Sequence, residues 1–238
     1  MLPTAPPAHL WHFPIQFRFA VGLILAMHIF GFGLMCWPPT RTFFIALTPV
    51  NLLVSAGFLY LFQWTAVGEV PPNGSLVGAN GQFFWVAALC MYAGGFLAEV
   101  AGVQTGAIFG QYAYGQGLGP KIWGTPLVIG VNWFILICTS TSLCETLRWP
   151  LPAKIAAAAA LMVAMDGLIE PVAIHLGFWN WFGQPIPLQN YGAWVVISLL
   201  LIGLFHRLGA VRPNPIAPFV LGAQIFFFVG HNIVIWWG

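Results

Sequence analysis

Apolar residues in this chain come in long unbroken runs, separated by short links marked by proline and glycine. The runs are roughly Phe17–Trp37, Thr42–Trp64, Gln82–Val103, Pro126–Leu143, Ala153–Leu176, Tyr191–His206 and Ile216–Trp236. Each is close to the length of about 20 residues that a helix needs to cross the hydrocarbon core of a bilayer. A membrane barrel would instead alternate polar and apolar residues along strands of about 10. The pattern predicts an all-α polytopic membrane helix bundle of about seven transmembrane helices, with residues 1–238 forming a single integral-membrane domain. Links such as Trp37–Pro39 and Arg212–Pro215 are short, and only 65–81, 104–125 and 177–190 are long. No internal repeat is visible, which weighs against an inverted-repeat transporter.

Composition narrows the class further. Hydrophobic residues make up 60% of the chain and charged residues 5%. A soluble domain carries about 25% charged residues, and a chain this poor in charge cannot stay solvated as a disordered one. The net charge of +2 includes no basic run, so no nucleic-acid partner is expected. Arg18, Arg148, Lys154, Arg207 and Arg212 fall on one side of a seven-span layout, with Arg41 and Lys121 on the other. That bias places the N-terminus in the cytoplasm and the C-terminus outside. The first 17 residues have no Lys or Arg and are broken by Pro3, Pro6, Pro7 and Pro14, so no secretory leader is expected there. Cys36, Cys90, Cys138 and Cys144 form no C-x-x-C pair and read as small buried hydrophobes.

The scarce acids carry the most information. Glu69 sits in a polar loop and Glu145 at a helix end near Arg148, where solvation accounts for both. Glu99, Asp166 and Glu170 lie inside apolar spans, where an ionisable group costs at least about 2.5 kcal/mol and is a functional candidate by default. Asp166 and Glu170 are four residues apart, hence on one helix face. The third and fifth spans run in the same direction. Glu99 lies 17 residues past Gln82, and Asp166 and Glu170 lie 13 and 17 past Ala153. All three acids therefore sit at similar depth.

Other polar and aromatic residues gather at that end: Tyr112, Tyr114, Lys121, Asn132, Trp133, Trp179, Trp181 and Asn190, with Gln104, Gln111, His175, Gln189, His231 and Asn232 nearby. Pro171 has no N–H for the carbonyl of Gly167, so a kink is expected in that span. Ala156–Ala160 offers a small-residue surface for close helix packing. A cluster of carboxyls in an apolar cavity disfavours its own ionisation and is equipped for general-acid chemistry. An acid that protonates an isolated C=C bond makes a carbocation, which the indole and phenol faces can stabilise. Gly115, Gly117 and Gly119 before Lys121 superficially evoke a phosphate loop, but Pro120 and Ile122 break the pattern. Serine-hydrolase, zincin and c-type haem motifs are missing, and Glu99, Asp166, Glu170 and His175 have no diagnostic metal spacing. Neither a metal nor a cofactor is expected.

Several segments carry a resemblance. EVAGVQTG over Glu99–Gly106, FGQYAYG over Phe109–Gly115, LGPK over Leu118–Lys121 and GTPL over Gly124–Leu127 resemble the integral-membrane carotenoid 1,2-hydratases. So do DGLIEP over Asp166–Pro171, GFWNW over Gly177–Trp181, and PLQNY over Pro187–Tyr191 with Trp194. That family includes bacterial γ-carotene and lycopene hydratases and haloarchaeal bisanhydrobacterioruberin hydratases. The resemblance covers about 99–194 and implies a cofactor-independent hydro-lyase in the cytoplasmic membrane of a prokaryote. Its implied partners are water, membrane lipid and an acyclic or monocyclic carotenoid (lycopene, γ-carotene or a C50 analogue). Glu99, Asp166 and Glu170 carry over as its catalytic carboxyls. Tyr112, Tyr114, Lys121, Asn132, Trp133, Trp179, Trp181 and Asn190 are the candidate substrate-binding residues. On the residues alone, one of Asp166 and Glu170 would protonate C2, leaving a tertiary cation at C1, and Glu99 would orient or deprotonate the attacking water. A carotenoid end-group cyclase shares the first step, and a proton-coupled transporter or lipid carrier would use the same acids as a relay. Both alternatives stay open at this stage.

Overall fold

The computed structural model describes residues 15–63, 84–183 and 185–237. The N-terminal prolines, the 65–81 connection with Glu69, and the expected span ends Trp64 and Gln82 lie outside the described residues. The helices are α1 (Ile15–Cys36), α2 (Pro38–Ala46), α3 (Thr48–Phe62), α4 (Phe84–Thr105), α5 (Val128–Glu145), α6 (Leu151–His175), α7 (Leu188–Arg207) and α8 (Ala217–Trp237). Six of them are long and apolar enough to cross a membrane, and a seventh span exists if α2 and α3 count as one. The chain is an all-α polytopic membrane protein.

The second span differs from the straight helix expected over Thr42–Trp64. It breaks at Leu47, and its halves meet at a 50° bend. Pro49 explains the break: it has no N–H to give the carbonyl of Ile45, so the ladder restarts with Pro49 in the first turn of α3. Through Pro171, by contrast, α6 continues as helix to His175. Asn232 of α8 donates through Nδ2 to Leu168 O at 2.8 Å, one residue past the carbonyl that Pro171 leaves without its helical donor.

Helix α5 is the axis of the bundle. It is 78% buried along its apolar stretch, against 33–44% for the other long helices. It packs against α3, α4, α6 and α8; as the crossings immediately before and after it, α4 and α6 run in the same direction. One end of the bundle is closed by a polar knot. There Asn214 takes its own N–H to Ser142 Oγ at 2.6 Å and donates through Nδ2 to Leu59 O at 2.8 Å and Gln63 Oε1 at 3.0 Å.

A short antiparallel ribbon covers the other end. Strand β1 (Tyr112–Tyr114) pairs with β4 (Trp179–Trp181) in the register Tyr112–Trp181, Ala113–Asn180, Tyr114–Trp179. Strands β2 (Lys121–Ile122) and β3 (Thr125–Pro126) form a second small ladder beside it. The first ribbon follows directly from how α6 ends. Phe178 N bonds Ala173 O at 2.8 Å and Gly177 N bonds Ile174 O at 3.1 Å, with Gly177 at φ +70°. This Schellman stop needs a glycine, and it turns the chain straight into β4. On the opposing strand Gly115 lies so close to Gly177 O that a Cβ has no room there.

Candidate active site

The strand period of two puts alternate side chains on one face. Tyr112 and Tyr114 therefore share a face of the ribbon, and so do Trp179 and Trp181, their cross-strand partners. Ring centroids lie 5.0 Å apart for Tyr112–Trp181 and 5.8 Å for Tyr114–Trp179. That aromatic face looks into the bundle, and its polar tips find the acids. Glu99 Oε2 accepts from Tyr112 Oη at 2.5 Å and from Tyr114 Oη at 2.7 Å. Glu170 Oε2 accepts from Trp179 Nε1 at 3.0 Å and Trp181 Nε1 at 2.9 Å. Each strand thus serves one carboxyl with two donors. Burial first, and then the charge of Glu99, push both phenols up from their ordinary range, so they stay protonated donors at any physiological pH.

The remaining polar groups complete the set. Trp133 Nε1 donates to Glu99 Oε1 at 3.1 Å, and Asn190 Nδ2 donates to Asp166 Oδ2 at 2.9 Å. All three acids are buried, at 5% exposure for Glu99 and 2% for both Asp166 and Glu170. Both oxygens of Glu99 are engaged. Among the described residues, Glu170 Oε1 and Asp166 Oδ1 receive no hydrogen bond.

These side chains surround a cavity of about 30 Å³ lined by the three acids with Tyr112, Tyr114, Asn132, Trp133, Trp179, Trp181 and Asn190. Space of that size holds a water or two and no more. A second, mostly apolar cavity of about 390 Å³ adjoins it, bounded by α1, α2, α3, α5, α6 and α8. Ile129, Asn132, Ile169 and Trp179 line both and form the wall they share. The larger cavity falls within the span of small-molecule pockets, roughly 300–1,000 Å³. Its lining includes Phe30 of α1 with Leu47 and Val50 at the α2–α3 bend, all three exposed on the apolar outer surface. The cavity thus reaches the apolar outer surface beside the bend.

Lys121 stands apart from the other expected site residues. It lines neither cavity, and its Nζ donates to Tyr114 O at 2.6 Å, bracing strand β1. Gln104 and Gln189 likewise bond loop carbonyls, of Trp123 and Ala107. Trp194 belongs to the site beyond the expected set. It lines the small cavity and stacks on Trp133, with centroids 4.2 Å apart and planes 13° apart. Its spacing of four from Asn190 is the signal that was available.

Two glycines also stand behind the site. A Cβ on Gly95 would overlap the Trp133 ring, and a Cβ on Gly130 would fall 2.7 Å from the Tyr92 ring. Helices α4 and α5 therefore each set a glycine opposite the other's large aromatic, three residues from their own. Gly95 lies one turn before Glu99, so its bare face seats the indole that bonds Glu99. Gly95→Ala is expected to cost about 1–3 kcal/mol by overpacking. Thermal unfolding of Gly95→Ala, Trp133→Leu and the double variant checks this. A double variant more stable than the sum of the singles by at least about 0.5 kcal/mol supports the contact, and strict additivity refutes it.

Fold and site together define a polytopic membrane protein in which three buried carboxyls, two of them held by an aromatic ribbon, line a small cavity beside a larger apolar one. Residues 50–235 match the family model described as carotenoid biosynthesis protein, and the chain belongs to that family. It is 27% identical over 170 residues to bisanhydrobacterioruberin hydratase of Haloarcula japonica, an alignment that takes in 63% of this chain and 53% of the relative. The chain spans about half the length of that curated relative. No solved structure matches.

Proposed function

We propose that this protein is a carotenoid hydratase, adding water across the terminal C1–C2 double bond of an acyclic carotenoid end group to give a tertiary alcohol. The observation that carries the reading is the pair of adjoining cavities, which share Ile129, Asn132, Ile169 and Trp179 in their lining. One is apolar and open toward lipid; the other is water-sized and walled by Glu99, Asp166 and Glu170. The polyene lies in the first, with the rest of its length in lipid, and its end group reaches the shared wall at Ile129, Asn132, Ile169 and Trp179.

Chemistry follows from which oxygens are free. Glu170 Oε2 faces two indole N–H donors, so a proton on this carboxyl sits on Oε1. Transfer of that proton to C2 leaves the charge on the better-substituted C1, beside the Trp179 ring. Water in the small cavity attacks C1 as its proton passes to Glu99, whose three donors suit a carboxylate that only accepts. The proton returns from Glu99 to Glu170 by way of water and Asp166, and the sum is alkene plus water to alcohol. No cofactor enters this scheme. A cyclase would need room beside the acids to fold an internal alkene onto the cation, and a cavity of about 30 Å³ favours water instead. A relay across the bilayer would draw on the buried polar groups of the first two spans, but Gln63 is spent in the knot with Asn214 and His28 lines the large cavity.

The whole chain acts as one integral-membrane domain in this reading. It sits in the cytoplasmic membrane of a prokaryote, with its N-terminus in the cytoplasm. Mass spectrometry of pigments from lycopene-making and γ-carotene-making cells expressing the protein tests the activity. The expected products gain one water per reacted end. A ring-bearing isomer of unchanged mass, or pigment recovered intact from membranes that contain the protein, overturns the reading.

A further inference from the structure

The larger cavity carries polar groups that a bare polyene does not require. His28 of α1, Asn51 and Ser55 of α3 and Gln224 of α8 all line it. His28, Ser55 and Gln224 are 5%, 2% and 4% exposed, so these groups are buried well inside the bundle. Their internal bonds leave particular atoms over. His28 Nδ1 lies 2.8 Å from Ile24 O, and a ring nitrogen bonds a carbonyl only by donating. The neutral ring is thereby left with Nε2 as an acceptor. Ser55 Oγ donates to Asn51 Oδ1 at 3.2 Å, and the Asn51 amide nitrogen makes no bond among the described residues. Gln224 makes none among the described residues, and its Oε1 is buried without a partner there.

Buried polar groups in native proteins are almost always paired, so an unpaired set lining one cavity calls for a ligand. A hydrocarbon filling the cavity would aggravate the deficit by shutting out any water. A hydroxyl answers it, having one donor hydrogen and two acceptor lone pairs. It can give its hydrogen to His28 Nε2 or the Gln224 carbonyl while accepting from the Asn51 or Gln224 amide nitrogen.

We propose that His28, Asn51 and Gln224 form a hydroxyl-binding subsite lining the large cavity, so that among the isoprenoid chains the cavity admits, those carrying an alcohol oxygen are held more tightly. The proposal rests on the reading that this cavity holds an isoprenoid chain, and it is independent of the hydration step. An ordered water could meet the same atoms, and the experiment separates the two. Calorimetric titration of the full chain in lipid nanodiscs, with empty nanodiscs as the control, compares geraniol, farnesol and geranylgeraniol with their deoxy hydrocarbons. The three alcohols share one branched alkene end and place the hydroxyl progressively farther from it.

The wild-type protein is expected to bind at least one alcohol about tenfold or more tightly than its own hydrocarbon, a difference readily resolved as affinity. Gln224→Leu and His28→Phe are each expected to pull that ratio toward one. Equal affinity within every pair for the wild type means that water alone occupies the site, and it overturns the proposal. So does a ratio that survives in both variants. An alcohol preference in a protein that adds no water to pigment would leave the subsite standing and remove the hydratase reading. Hydrated pigment without any preference would do the reverse.

Discussion

Glu170→Gln is expected to cut the yield of hydrated carotenoid per unit of protein by about 10²–10⁴-fold, the range that a positioned general acid contributes. The substitution isolates the acid proton unusually well. The glutamine carbonyl still accepts from Trp179 and Trp181, whose indoles can only donate, so the amide nitrogen is forced onto the Oε1 side facing the cavity. Shape, packing and the ribbon contacts stay in place, and only the transferable proton is lost. Asp166→Asn is the comparison, because Asp166 is also buried with one free oxygen but is bonded by Asn190 rather than by the ribbon. Its loss is expected to be smaller, since in the proposed scheme proton return can pass through water admitted to the small cavity that Asp166 lines. Pigment analysis at matched membrane protein levels checks both. Wild-type yield from Glu170→Gln removes it as the acid, and a deeper loss in Asp166→Asn transfers that role to Asp166.

Much of this architecture can be read from sequence, for a physical reason. A bilayer imposes continuous apolar runs, so the helix expected over Pro126–Leu143 appears as Val128–Glu145, and that expected over Ala153–Leu176 as Leu151–His175. The common depth of Glu99, Asp166 and Glu170 follows from helix rise and the parallel course of α4 and α6, and all three line one cavity. Hydropathy is blind to backbone donors, so the break that Pro49 causes at Leu47 is invisible inside an apolar run. The β1–β4 register was equally hidden, because Tyr112 and Trp181 meet through the stop at Gly177 and not through local pattern. Lys121 shows a further limit: one cation beside a polar loop reads alike whether it meets a ligand or, as here, a main-chain carbonyl. His28 and Gln224 resemble any polar residue on an apolar helix until a cavity is seen beside them.

Glu99→Gln is the second large effect, with a fall of about 10²-fold or more expected in hydration from the loss of a general base. Its environment decides how the amide sits. Trp133 Nε1 can only donate, so it claims the glutamine carbonyl. The amide nitrogen then meets Tyr112 and Tyr114, whose hydroxyls can turn to accept. The pocket keeps its hydrogen bonds while losing the charge, and thermal stability should change by less than about 1 kcal/mol, the worth of a typical net bond. Replacing Tyr112 and Tyr114 by Phe gives the opposite separation. The carboxylate survives but loses two of its three partners, so stability falls while hydration is reduced less than in Glu99→Gln. Melting curves and pigment yields measured on the same membranes distinguish these patterns. If Glu99→Gln retains full activity, the base lies elsewhere, and the Tyr–Glu99–Trp cluster serves only to pin α4 against the ribbon.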